Sequence, residues 1–96
     1  MSIRVIARIF AAPGQETALQ ALLMELVEPS RSEPGCLHYE LLQSSATPTE
    51  FVILEEWETD EAETQHLQSA HVQEAFWEGE SLISTPPEIR RYHLLA

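Results

Sequence analysis

There is no lysine anywhere in the sequence, which excludes a Schiff-base mechanism and a lysine general base. Five arginines stand against sixteen acidic residues, for a formal net charge of −11. A nucleic-acid binder needs a basic face to neutralise phosphates, and anionic lipid surfaces also select for basic residues, so neither partner is expected. Cys36 is the only cysteine, so no intrachain disulfide is possible. It reads as a small buried hydrophobe, or as a reactive thiol with His38, two residues on, as a base on the same strand face. No apolar run approaches the ~18 residues of a membrane span. The first residues lack the apolar stretch and small-residue cleavage site of a signal peptide, so a cytoplasmic protein is expected.

What is present fits one domain over residues 1–96. Residues 3–11 are rich in isoleucine and valine and read as a strand. After Pro13 and Gly14, Ala18, Leu19, Leu22, Leu23, Leu26 and Val27 fall on one helical stripe. Pro29 predicts a kink or an early stop, and Glu33-Pro34-Gly35 a turn. Residues 36–44 and 50–58 read as strands joined in an antiparallel hairpin, with Phe51, Ile53, Glu55 and Trp57 sharing one face. Thr59 and Asp60 cap a following helix, with Glu63 placed for a capping box behind Asp60. Ser69 caps a second helical segment over 70–81. Pro86-Pro87 then breaks the chain, and 89–95 is the last strand.

The order βαββαβ predicts an α+β, ferredoxin-like domain, a four-stranded antiparallel sheet with helices on one face. The other face is left bare. An exposed sheet-sized apolar patch is rare in monomers, so a homodimer packed sheet to sheet is expected.

The run Glu33-Pro34-Gly35-Cys36-Leu37-His38-Tyr39-Glu40-Leu41 resembles a stretch of the antibiotic-biosynthesis-monooxygenase (quinol monooxygenase-like) family. The strand from Phe51 to Trp57 is similar to that family's "FxxxExW" strand, His66 to His71 to its "HxxSxH" helix break, and Pro87-Glu88 to Tyr92 to its closing strand. The resemblance implies a dimeric α+β barrel with a cleft between sheet and helices. It also implies oxidation of quinols or polyketide phenols by molecular oxygen with no metal, flavin or haem. Relatives of the same fold degrade haem, or break down or isomerise small metabolites. Trp57 matches the cleft tryptophan of aromatic-oxidising members. Their asparagine four residues before it is Ile53 here, and their tyrosine six residues after it is Glu63. The haem-degrading branch has an asparagine where this chain has Ala7 or Arg8, and its axial histidine falls near Phe76.

The candidate catalytic residues are His66 and His71. Either could take a proton from a phenol near neutral pH. On a straight helix they would diverge by about 140°, and a break at Ser69 would let both face the cleft. Trp57, Tyr39 and Phe76 are the candidate substrate-binding residues. Trp57 serves equally as core, Tyr39 equally as a buried phenol with a backbone partner, and of Phe76 and Trp77 one belongs to the core. No cofactor site is expected. No metal site is expected either: the histidine spacing is not His-Glu-x-x-His, and Glu74 alone makes no ligand shell. Of the six carboxylates between Glu55 and Glu63, only Glu55 is placed to reach the cleft. Arg90, Arg91 and His93 are expected to form salt bridges between subunits.

Together these residues predict a cofactor-independent monooxygenase that uses oxygen on a small quinol or dihydroxyaromatic. An oxygen-independent isomerase or degradation enzyme and a non-catalytic ligand-binding dimer are the alternatives.

Overall fold

Alternation of side chains decides which face of each strand is buried. In the computed structural model, which describes residues 2–96, β1 (Ile3–Phe10) turns Ile3, Val5, Ala7 and Ile9 inward. β3 (Glu50–Trp57) turns Phe51, Ile53, Glu55 and Trp57 to the same side. With β2 (Cys36–Gln43) and β4 (Glu88–Tyr92) these strands form one antiparallel sheet in the order β2-β3-β1-β4. The helices α1 (Glu16–Glu25), α2 (Val27–Arg31), α3 (Asp60–Gln68) and α4 (Ala70–Gly79) supply the rest of the core, including Leu19, Leu23, Leu26 and Val72. This is the ferredoxin-like α+β arrangement that the element order predicts. The last strand is shorter than expected, ending at Tyr92 rather than Leu95.

Pro29 acts as a kink. It offers no N–H to the Glu25 carbonyl and its ring crowds that group, so α1 ends at Glu25 and the chain continues as α2 after Leu26.

Three sequence expectations are corrected. Cys36 and His38 do not share a strand face. Cys36 pairs with Trp57 but His38 pairs with Glu56, so Leu37 is an extra residue, a β-bulge. The bulge keeps Cys36 on the covered side, turns Tyr39 inward opposite Glu55, and sends His38 out to meet Glu40 at 2.9 Å. Burial, and then the nearby Glu33, also push the Cys36 thiol up, away from the reactive thiolate.

The capping box does not form. Thr59 is the N-cap of α3 and its Oγ1 accepts from Ala62 N at 3.1 Å. Glu63 turns inward and accepts from Arg91 Nε at 2.6 Å. Arg91 is thus paired within its own chain.

The open face is not a continuous apolar patch. A strip containing Ile6, Leu54, Val52 and Leu42 is flanked by Arg4–Glu56 (3.8 Å) and Arg8–Glu50 (3.1 Å). Among the described residues no helix is long and apolar enough to cross a membrane.

Candidate active site

The break between α3 and α4 falls at Ser69, whose extended backbone (φ −66°, ψ 153°) separates two helices that would otherwise be one. Ser69 holds the N-cap position of α4 but does not cap it with its side chain. Its Oγ donates back to the His66 carbonyl at 2.6 Å. The bend brings His66, at the end of α3, and His71, at the start of α4, to one side, with ring centroids 6.1 Å apart.

Both meet the same oxygen. Glu33 Oε2 lies 2.6 Å from His66 Nδ1 and 3.0 Å from His71 Nε2, and Ser69 Oγ lies 3.3 Å from that second nitrogen. Glu33 reaches them because the 33–35 turn presses against α3. Gly35 has φ +83°, and a Cβ there would stand 2.6 Å from the Ala62 Cβ, so a side chain is excluded by both backbone and space. Gly35 also accepts from Glu58 N at 2.7 Å, which ties the turn to the end of β3.

An ionised carboxylate only accepts hydrogen bonds, so this network assigns the His66 proton to Nδ1. The lone pair of Nε2 then faces the other way, towards Glu55 Oε1 at 3.9 Å. That gap is too long for a hydrogen bond, yet an oxygen about 2.8 Å from each atom would fit with an angle of about 90° between them.

Glu55 is held by the indole of Trp57, which donates to Oε1 at 2.8 Å. Burial pushes the Glu55 carboxyl up to about 7, against the opposing pull of the Trp57 hydrogen bond. Trp57, fully buried, also packs on the His66 ring at 4.6 Å, and Tyr39 meets that ring edge-on at 5.6 Å. Burial, and then the charge of Glu55, push the Tyr39 phenol up, so it stays a neutral hydroxyl.

His66, Glu55 and Tyr39 are the polar end of a cavity of about 80 Å³ between sheet and helices. Its remaining wall is apolar, with Leu19, Leu23, Ile53, Val72 and Phe76 among the lining residues. Phe76 is 44% exposed and stands where the cavity meets solvent. A dry apolar cavity of ~150 Å³ accepts benzene. This one is smaller, so a single ring already requires some widening.

Of the five residues singled out in the sequence, His66, Tyr39 and Phe76 line this cavity. Trp57 stands behind His66 and Glu55 rather than in the wall. His71, 26% exposed along its side chain, sits on the outer side of Glu33. Glu33 is the residue that sequence reasoning missed. It was read only as part of a turn, although it heads the motif run that carries the family resemblance.

Comparison with known proteins puts this fold and cavity in a monooxygenase-like class. Residues 2–77, a span that includes Glu33, Tyr39, Glu55, Trp57, His66, His71 and Phe76, match the family described as "Antibiotic biosynthesis monooxygenase", and the chain belongs to that family. It is 31% identical over 88 residues to "Putative monooxygenase YcnE" of Bacillus subtilis (strain 168), covering 92% of this chain and 93% of that protein. It is 30% identical over 92 residues to "Uncharacterized protein sll1783" of Synechocystis sp., covering 96% of this chain but only 63% of that longer relative. Among solved structures, PA3566 from Pseudomonas aeruginosa superposes with a TM-score of 0.94 at 36% identity, covering 99% of this chain and 95% of that one. Rv0793 from Mycobacterium tuberculosis superposes at 0.93 with 29% identity, covering 100% and 97%.

Proposed function

We propose that the protein oxidises a small, single-ring quinol or other dihydroxyaromatic with molecular oxygen, and needs no metal, flavin or haem to do so. The observation that carries this reading is His66: its Nδ1 is tied to Glu33, and its free Nε2 faces the polar end of an apolar cavity.

His66 Nε2 takes the phenolic proton, and Glu33 stabilises the imidazolium that forms. Glu33 also joins His66 to the partly exposed His71, whose N–H shares the charge of the carboxylate. The electron-rich anion then reduces oxygen. One oxygen atom enters the ring and the other leaves as water, so the substrate supplies all four electrons and departs as a hydroxyquinone. The apolar wall, including Phe76, keeps water from the reactive intermediate. The Tyr39 hydroxyl and the Glu55 carboxyl orient the ring oxygens. The active form is a homodimer in which the apolar strip of each open face is covered by its partner's.

One observation favours a second reading. Glu55, with its carboxyl pushed up to about 7, stands 3.9 Å from a free imidazole nitrogen. Such an acid–base pair can move a proton between two atoms of one substrate, which is the chemistry of an oxygen-independent isomerase.

Oxygen uptake with a panel of single-ring quinols separates these readings. Uptake above autoxidation is expected, falling by about 10²-fold or more in His66→Ala. Conversion of substrate with no oxygen consumed would replace the oxidation by isomerisation. No conversion of any kind would leave a ligand-binding domain.

A further inference from the structure

We propose that Glu33, His66 and His71 bind one divalent transition-metal ion, and that filling this site silences His66 as a base. The second half rests on the reading of His66 given above; the first does not.

The donor atoms come from three separate places in the chain: the 33–35 turn, the end of α3 and the start of α4. All three nonetheless lie within 4.8 Å of one another. Among the described residues no other group of three histidine, cysteine or acidic side chains converges in this way. Both imidazole nitrogens already aim at one point, the place now held by Glu33 Oε2 at 2.6 and 3.0 Å. With metal–ligand bonds of about 2.0–2.2 Å, neighbouring ligand atoms stand about 3–3.5 Å apart. An ion would take the point that Glu33 Oε2 now holds, with the carboxylate drawing back and the two imidazoles settling to that spacing. Two imidazoles and one carboxylate suit zinc, cobalt, nickel or ferrous iron rather than calcium or magnesium.

The surroundings fit an ion as well. His71 is partly exposed, so an ion has a way in and water can complete its shell. Metal-bound histidines usually direct their other ring nitrogen at a carboxylate. His66 Nε2 faces such a carboxylate, Glu55 Oε1, across 3.9 Å, a gap that has to close before the two can hydrogen-bond, and Glu55 itself is held by Trp57.

The consequence for chemistry follows from the two ring nitrogens. A metal on Nδ1 takes that lone pair, so a neutral imidazole must carry its proton on Nε2. The atom facing the cavity then changes from a proton acceptor to a donor aimed at Glu55. No electron is transferred, and removal of the ion restores the original tautomer.

Metal-stripped protein titrated with cobalt(II) alone, followed by visible absorption, and with zinc(II) alone, followed by calorimetry, tests the site. One ion per chain is expected. Affinity should fall about tenfold or more in His71→Ala and in Glu33→Gln and stay unchanged in His38→Ala, which removes the 2.9 Å His38–Glu40 pair on the open face. Nitrogen-15 spectra of the imidazoles should show the His66 proton moving from Nδ1 to Nε2. No stoichiometric binding, or binding that survives both His71→Ala and Glu33→Gln, would overturn the site, whether or not a substrate is known. In the wild-type protein, zinc should suppress turnover with the same midpoint as binding, and a chelator should restore it. Binding without suppression would overturn the silencing alone.

Discussion

Glu55 and Glu56 are neighbours on β3 and face opposite sides of the sheet. Glu56 lies on the open side within reach of Arg4 and the Ser2 hydroxyl, in contact with water. Glu55 lies on the covered side, 7% exposed, with one indole N–H for a partner, and its carboxyl titrates near 7. The residue type is the same, and what raises the Glu55 carboxyl is its burial. The two histidines nearest these strands repeat the contrast: His66 is buried between Glu33 and Trp57, while His38 shares the open face with Glu40. The covered face holds ionisable groups where water cannot screen them, and the open face holds ion pairs that water weakens.

The sharpest way to break this comparison is to delete one histidine from each face. His66→Ala should lower turnover by about 10²-fold or more, and His38→Ala should leave it within about twofold. Equal losses in steady-state rates would mean that the open face takes part in the chemistry.

Next in size is Gly35→Ala. It forces an alanine to φ +83° and drives its Cβ into Ala62, at a cost of about 2–4 kcal/mol. Urea unfolding gives the loss. Because the turn must retreat from α3, the Glu33–His66 hydrogen bond should weaken as well, visible in the His66 Nδ1 proton resonance.

Glu55→Gln should then act in the opposite direction. The folded carboxyl titrates at about 7 against an ordinary 4.5, so between those values the native state holds a proton that the unfolded chain has lost. Wild-type stability therefore falls as pH rises from about 4.5 to about 7, by about 3 kcal/mol at most. Glutamine keeps an acceptor for Trp57 and has no charge to bury. The variant should be more stable than wild type by about 1–3 kcal/mol at pH 8 and no more stable at pH 4. Urea midpoints across that range decide it, and a gain that ignores pH would refute the burial argument.

The smallest effect belongs to Glu56→Gln on the open face: under about 1 kcal/mol, and smaller still in high salt. A larger loss would show that the cover proposed for the apolar strip extends over this flanking ion pair as well.

Much of the fold was legible because period and punctuation carry it. The alternation on β1 and β3, the helical stripe from Ala18 to Val27, and the breaks at Pro29 and Ser69 all lie in local sequence. The Leu37 bulge was not legible. Strand register is settled by the partner strand, and counting by twos from Cys36 puts His38 inside and Tyr39 outside, the reverse of the structure. Glu63 misled for a related reason. Its spacing from Asp60 suits a capping box, but Glu63 is buried and its cation partner on β4, Arg91, outweighs a local hydrogen bond. His66, Tyr39 and Phe76 were found as cavity residues. Glu33 was not, because its partners lie 33 and 38 residues away and only the closed fold brings them together.

The break at Ser69 couples two parts that look independent. His71 and Phe76 ride on the same ten-residue helix, α4, about 7.5 Å apart along its axis. One end of this lever reaches Glu33 and the other stands at the cavity mouth. Swinging α4 outward to admit a bulkier guest pulls on the His71–Glu33 contact unless the helix bends, while His66, anchored on α3, stays with its carboxylate. His71 and Phe76 move together for as long as that helix stays straight.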